Sequence, residues 1–285
     1  MDGTLPTPEA SNYTPPEIES RRNMLRAITY AITSMALLIS GFTFQNSTVS
    51  DLATGGFLAL VVPAAIAING EKTALRMRWY SIRYRSEMVR ISAAYLFRIK
   101  IDGKYLLVKG SRFPHYQPVG GVFKVSPKGQ NFLASIEAQD DDLIPIDQTS
   151  EADLRIRLRG ASLSVFYHWF ESRSGREDAP WREFQEELIS TSILPSGPFP
   201  YIFHEYQGRI VDKIRFSPYA DSHELIMADV YELLPTREQE DALRSTLTAT
   251  RDEFGWFTGE EIRRRGVLPG TPNVVPIAEH AEKII

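Results

Sequence analysis

Hydrophobic and polar positions follow two textures along the chain. The run Met24 to Phe44 carries no charge after its opening turn, over a length that matches the roughly 20 residues needed to cross a bilayer core. Leu52 to Gly70 is uncharged as well, and the polar stretch QNSTVSD joins the two. Neither run keeps the polar stripe of a helix packed in a water-soluble core, so the pattern predicts a two-helix transmembrane hairpin over 24–70. Arg21, Arg22 and Arg26 precede it, Lys72, Arg76, Arg78, Arg83 and Arg85 follow it, and the link carries neither Lys nor Arg. The positive-inside rule then puts both ends in the cytoplasm. Residues 1–23, polar and containing Pro6, Pro8, Pro15 and Pro16, suit a disordered tail. Residues 71–88, with Trp79, Tyr80 and Tyr84 among arginines, read as a juxtamembrane helix, either seated at the membrane interface or serving as a plain linker.

From Ile91 onward the runs shorten and turn residues separate them, which predicts a mixed α/β domain over about 90–285. Ile91 to Lys100 and Tyr105 to Lys109 flank Asp102-Gly103, a hairpin signal. Tyr201 to Tyr206 and Val211 to Phe216 flank Gln207-Gly208-Arg209 in the same way, and Glu224 to Leu233 reads as a central strand. Pro118-Val119-Gly120-Gly121 marks a backbone reversal. Thr236 to Thr250 is expected to be helical, and Thr258 with Glu261 forms a capping box for a last helix ending near Gly266.

Composition changes this picture in two ways. The absence of cysteine excludes disulfides, thiolate metal sites and cysteine nucleophiles. A formal net charge of -4 argues against a general binder of DNA, so any anion site must be local.

Two groups of residues could carry chemistry. Trp181 to Leu188 (WREFQEEL) places Glu183, Glu186 and Glu187 at i, i+3 and i+4, three carboxylates on one helical face. That is either a solvated acidic face or a site for a hard divalent cation such as Mg²⁺ bound together with substrate phosphates. Asp153 to Arg159 (DLRIRLR) alternates strictly, so a strand would turn Arg155, Arg157 and Arg159 to one face and Leu154, Ile156 and Leu158 to the other. The arginine row could grip phosphates, or it could pair with nearby acids such as Asp140 to Asp142. The neighbouring Leu163, Phe166, Tyr167 and Phe170 recur at helical spacing and read as core.

Arg182-Glu183-Phe184-Gln185-Glu186-Glu187 resembles the R-E-hydrophobic-x-E-E core of the Nudix box, and Gly120-Gly121 resembles the glycine pair that opens it. The resemblance implies a Nudix-like fold in which Glu183, Glu186 and Glu187 bind a catalytic Mg²⁺, Arg182 orients a carboxylate, and the backbone near Gly121 approaches the metal. Residues Val122 to Trp181 form a large insertion (about 122–181), Ser126 stands where the box has a glutamate, and Ile189 where it has a glycine. The order of hydrophobic runs and domain is similar to the two-transmembrane Nudix effectors of CBASS antiphage signalling. That likeness implies a multi-pass protein of the bacterial inner membrane with its soluble domain in the cytoplasm. It further implies a cyclic oligonucleotide as ligand and a homo-oligomer that disrupts the lipid bilayer; Arg155, Arg157 and Arg159, with Gly120 and Gly121, are the residues expected to bind that nucleotide. The alternative is a membrane-tethered, Mg²⁺-dependent Nudix hydrolase of a nucleoside diphosphate derivative, and a third reading is an anchor with an inactive domain.

Overall fold

The computed structural model describes Thr29, Ile32, Thr33 and Ala36, then residues 72–285 without 111–113, 142, 144–150, 179, 219, 250 and 268–273. The expected tail and nearly all of the expected spans lie outside the described residues. Among the described residues no helix is long and apolar enough to cross a membrane. The helix α1 (Lys72–Arg83) has only 12 residues and carries Lys72, Arg76, Arg78 and Arg83, against the roughly 20 apolar residues a crossing needs. The transmembrane hairpin and the multi-pass inner-membrane placement are therefore corrected: the fold that the structure supports is a mixed α/β domain.

The described residues divide into two compact units, one holding those up to Ile82 with Leu163–Ser172, the other those of 83–162 and 173–285. In the first, α1 buries Ala74, Met77 and Tyr80, and α3 (Leu163–Glu171) buries Leu163, Phe166, Tyr167 and Phe170, the four positions whose helical spacing marked them as core. Ser81 Oγ accepts the backbone N–H of Ser164 at 2.9 Å, giving the first turn of α3 a partner for one of its free donors.

The second unit is built on two sheets. Strand β1 (Met88–Arg98) runs parallel to β10 (Ser222–Leu234) over ten residue pairs, Val89↔His223 to Arg98↔Glu232. The other edge of β1 is shared by β7 (Arg155–Arg159), paired at Met88–Ser92, and β5 (Gly120–Val122), paired at Ala94–Leu96. Two-residue β6 (Gln139–Asp140) flanks β7. On the far side β8 (Phe203–Val211) and β9 (Arg215–Ser217) both pair antiparallel with β10. The second sheet joins β2 (Lys100–Ile101), β3 (Lys104–Lys109), β4 (Tyr116–Pro118) and β11 (Phe254–Thr258). Asp102 and Gly103, at φ 49° and 80°, make the turn between β2 and β3, a conformation that Asp and Gly adopt at little cost.

Two expected turns differ. Gln207-Gly208-Arg209 is not a hairpin loop: β8 continues through it, and the register slips by one residue opposite Val230 and Tyr231, with Gly208 at φ 139° taking up the bulge. Val119 links β4 in one sheet to β5 in the other, so the segment crosses between sheets instead of reversing.

Side chains alternate across β10. Ala228 and Val230 join Leu96, Leu107, Ile262 of α6 (Gly259–Arg263) and Ile277, Ala281 and Ile284 of the C-terminal segment in one apolar cluster. The opposite parity carries aromatic packing: Phe97 lies 5.6 Å from Phe184 and 6.5 Å from Tyr231, and Tyr95 lies 4.9 Å from Phe123. Phe184 is fully buried, which contributes on the order of 2 kcal/mol and anchors the glutamate-rich helix to the sheet.

Candidate functional site

Helix α4 (Trp181–Phe184) starts after Pro180, where the missing N–H costs nothing. Trp181 stacks on Phe184 at 5.7 Å with the rings 16° apart. The helix then widens into a π-helical turn (Gln185–Ile189), closed by Ser190 N–H donating to the Gln185 carbonyl at 2.9 Å. Glu183 and Glu187 turn toward the glycine pair while Glu186 stays outward, its side chain 54% exposed against 15% for Glu183.

Gly121 makes room for the Glu183 carboxylate, and Gly120 for the backbone of β1. A Cβ on Gly121 would sit 2.0 Å from Glu183 Oε1, and one on Gly120, at φ 154°, would meet the Tyr95 carbonyl at 2.1 Å. Gly120 N–H donates to Glu187 Oε2 at 2.9 Å.

Arg182 holds the centre. Its Nη1 donates to Glu183 at 2.6 Å and to Glu186 at 3.3 Å, its Nε and Nη2 reach the two oxygens of Glu177 at 3.3 and 3.2 Å, and Nη2 also donates to the Val122 carbonyl at 3.1 Å. The family partner that Ser126 cannot provide is thus supplied from the insertion by Glu177, which also accepts the Lys124 backbone N–H at 3.3 Å. Ser126 instead caps α2 (Pro127–Ser135), accepting from Gly129 N–H.

Burial dominates the electrostatics. It pushes the Glu187 carboxyl up to about 8, with the Gly120 N–H opposing and Glu183 and Glu186 adding to the rise. Burial raises Glu183 as well, against the pull of Arg182. Tyr95, wholly buried on β1, is raised by burial and by the nearby Glu177. Its hydroxyl sits by the Glu183 backbone N–H yet completes no hydrogen bond of ordinary geometry.

Residues 88–285, well over half of the chain, match the SMODS-associated NUDIX domain. The chain belongs to that family. Membership supports a Nudix effector in a CD-NTase-associated system. No curated protein matches the chain.

Nudix domains commonly use divalent metals such as Mg²⁺. Among the described residues of this SMODS-associated NUDIX domain, no three His, Asp or Glu side chains converge to hold a metal ion. The reason is local. Arg182 already neutralises Glu183 and touches Glu186, and Glu187 faces a backbone N–H with its carboxyl held largely protonated near neutral pH. Glu183, Glu186 and Glu187 are the carboxylates that would hold a divalent cation, with Glu187 giving up its proton as the cation enters.

The arginine row of the SMODS-associated NUDIX domain does lie on one strand face, with Ile156 and Leu158 buried behind it. Two members are engaged by acids. Arg155 pairs with Asp153 at 3.3 Å, and Arg157 donates to buried Asp141 at 3.3 Å and to the Ala220 carbonyl at 3.3 Å, leaving Arg159 the exposed one. Asp141 also accepts from Arg90 at 2.7 Å. The row and the glutamates thus sit on different elements. Sequence reasoning missed Glu177 and Tyr95. Glu177 was the nearest glutamate upstream of Arg182, a signal hidden by the length of the insertion; Tyr95 stood inside an ordinary apolar strand and gave none.

Proposed function

We propose that this domain is the nucleotide-sensing part of a CBASS-type effector. It binds a cyclic oligonucleotide made by a CD-NTase, and binding, not turnover, is its output. Membership in the SMODS-associated NUDIX family supports the ligand class. The observation that carries the preference for binding over hydrolysis is the interrupted box: Val122 to Trp181 separate the glycine pair from the R-E core, and Ser126 and Ile189 stand where the box has a glutamate and a glycine. A ligand that binds better when copies of the chain are assembled drives association, by no more than its difference in affinity between the two states.

Calorimetric titration of the full chain with a panel of cyclic di- and trinucleotides, in Mg²⁺ and in EDTA, tests the reading. One cyclic nucleotide is expected to bind equally in both buffers, to survive intact, and to shift the protein to a larger species in sedimentation. Mg²⁺-dependent cleavage of nucleoside diphosphate derivatives that Glu187→Gln abolishes, with no binding of any cyclic nucleotide, would establish the hydrolase instead.

A further inference from the structure

On the sheet face opposite the glutamates, a cleft of about 600 Å³ opens between β8, β9, the start of β10 and the C-terminal segment Glu279–Lys283. Its floor is apolar: Ile210 and Ile226 lie there, Ile226 sharing its parity on β10 with Ala228 and Val230. Phe216 stands at the wall, 55% exposed. Its ring is held at 84° to the His223 imidazole, 5.8 Å away, and His223 is in turn fixed by Glu87 at 2.7 Å. The orientation is therefore set while much of the ring remains open.

The charges are arranged unevenly. Four carboxylates line the cleft, and each is bonded to a cation. Asp212 pairs with Lys283 at 2.6 Å, Glu224 with Arg90, and Glu279 and Glu282 with Arg265 at 3.2 and 4.0 Å. Lys213 and Arg215 are exposed and have no ion partner among the described residues. For Arg215 this is specific. Glu224 is its direct cross-strand neighbour in the ladder, the position from which an opposite charge would ordinarily pair with it. Arg90, itself bonded to Asp141, takes Glu224 instead.

We infer that this cleft is the nucleotide site of the domain, with Lys213 and Arg215 gripping phosphate and Phe216 stacking on a base. The inference rests on the sensing reading above and places that ligand away from the Nudix-box glutamates. Guanidinium and ammonium groups without internal partners keep their donors for phosphate oxygens. An exposed ring of fixed orientation offers a stacking surface for any base. The volume lies within the range of small-molecule sites, and open to solvent it admits a ligand with two bases. Burial and the neighbouring Lys283 hold the His280 imidazole below its ordinary value, so it faces the cleft uncharged and able to accept as well as donate.

Hydrogen–deuterium exchange and calorimetry on the full chain test this, using cyclic di- and trinucleotides together with the linear nucleotides ATP and 5′-AMP. A bound nucleotide is expected to protect 210–218 and 279–283. The exposed double change Lys213→Ala and Arg215→Ala is expected to leave the melting temperature unchanged and to weaken binding at least about tenfold, the loss of one or two charge-assisted hydrogen bonds. Phe216→Ala is expected to weaken it severalfold, and Phe216→Tyr to restore it. Unchanged affinity in the double variant, or protection confined to Gly120–Glu187 or to 155–159, overturns the cleft while leaving the sensing reading intact. Binding of linear nucleotides alone, with protection at the cleft, supports the cleft and overturns the sensing reading. Failure of every nucleotide to bind overturns both.

Discussion

Arg182 and Glu187 divide the work of keeping a carboxylate cluster folded in the absence of an added cation. Glu187 does so by staying protonated. Its folded carboxyl lies near 8, above the ordinary 4.5, so the folded chain holds this proton more tightly than the unfolded one. The resulting stabilisation is complete below the unfolded value and is lost as pH rises through the folded one. In EDTA, the melting temperature is therefore expected to fall between about pH 5 and about pH 9, and Glu187→Gln, which keeps a neutral group facing Gly120 N–H, is expected to flatten that fall. Equal slopes for the two proteins would show that Glu187 ionises normally. Arg182 works by charge. Arg182→Met leaves Glu177, Glu183 and Glu186 facing one another and is expected to cost about 3 kcal/mol, since removal of one member strands the rest. The same change removes the positive charge nearest the cluster. Mg²⁺ or Mn²⁺ is expected to raise the melting temperature of Arg182→Met more than that of the wild type, as calorimetric scans with and without the cation would report.

At the scale of elements, what could be read from sequence was whatever depends on neighbours a few residues apart. The Thr258–Glu261 capping box is formed, with Glu261 Oε2 accepting Thr258 N–H at 2.7 Å, and Thr236 with Gln239 makes a second one at the start of α5 (Arg237–Ser245). Thr236→Ala and Thr258→Ala are each expected to cost about 1 kcal/mol by urea unfolding, and to add in the double variant because the two caps share no partner. The alternation of 154–159 was equally legible, since period two fixes which side chains share a face. The partners across that face were not legible: whether Arg157 met phosphate or Asp141 depended on a strand pairing of distant segments. Gln207-Gly208-Arg209 shows the same limit. A glycine with positive φ serves a bulge as well as a turn, and only the long β10 ladder decides between them. The π-turn at Gln185–Ile189 carries no residue signature that separates it from an α-helix; the i, i+3, i+4 spacing gathers the three glutamates around Arg182 and Gly120, with Glu186 the exposed one.

For the whole molecule, the uncharged runs before residue 71 were the most conspicuous pattern, yet among the described residues the structure provides no helix that could span a bilayer. The domain that follows is held together by a point that no motif marks. Asp229, central on β10 and fully buried, accepts two hydrogen bonds from its cross-strand neighbour Arg209 at 2.5 and 2.8 Å. Its Oδ2 also lies 3.9 Å from Nη2 of Arg176, which belongs to the insertion. The Arg176 guanidinium lies 4.4 Å from the Phe123 ring centre and is brought down to about 10 by burial, so it depends on Asp229 to remain charged in that setting. One carboxylate thus ties the insertion to the edge strand β8, and the next residue, Glu177, holds Arg182. Asp229→Asn leaves two buried guanidinium groups without their anion and is expected to cost about 3 to 5 kcal/mol in urea unfolding. Because the residue joins distant segments, hydrogen exchange is expected to lose protection together in 173–177 and 206–211, with the Nudix-box helix following. Loss confined to β8 would show that the insertion is held independently, and that Arg176 meets its charge elsewhere.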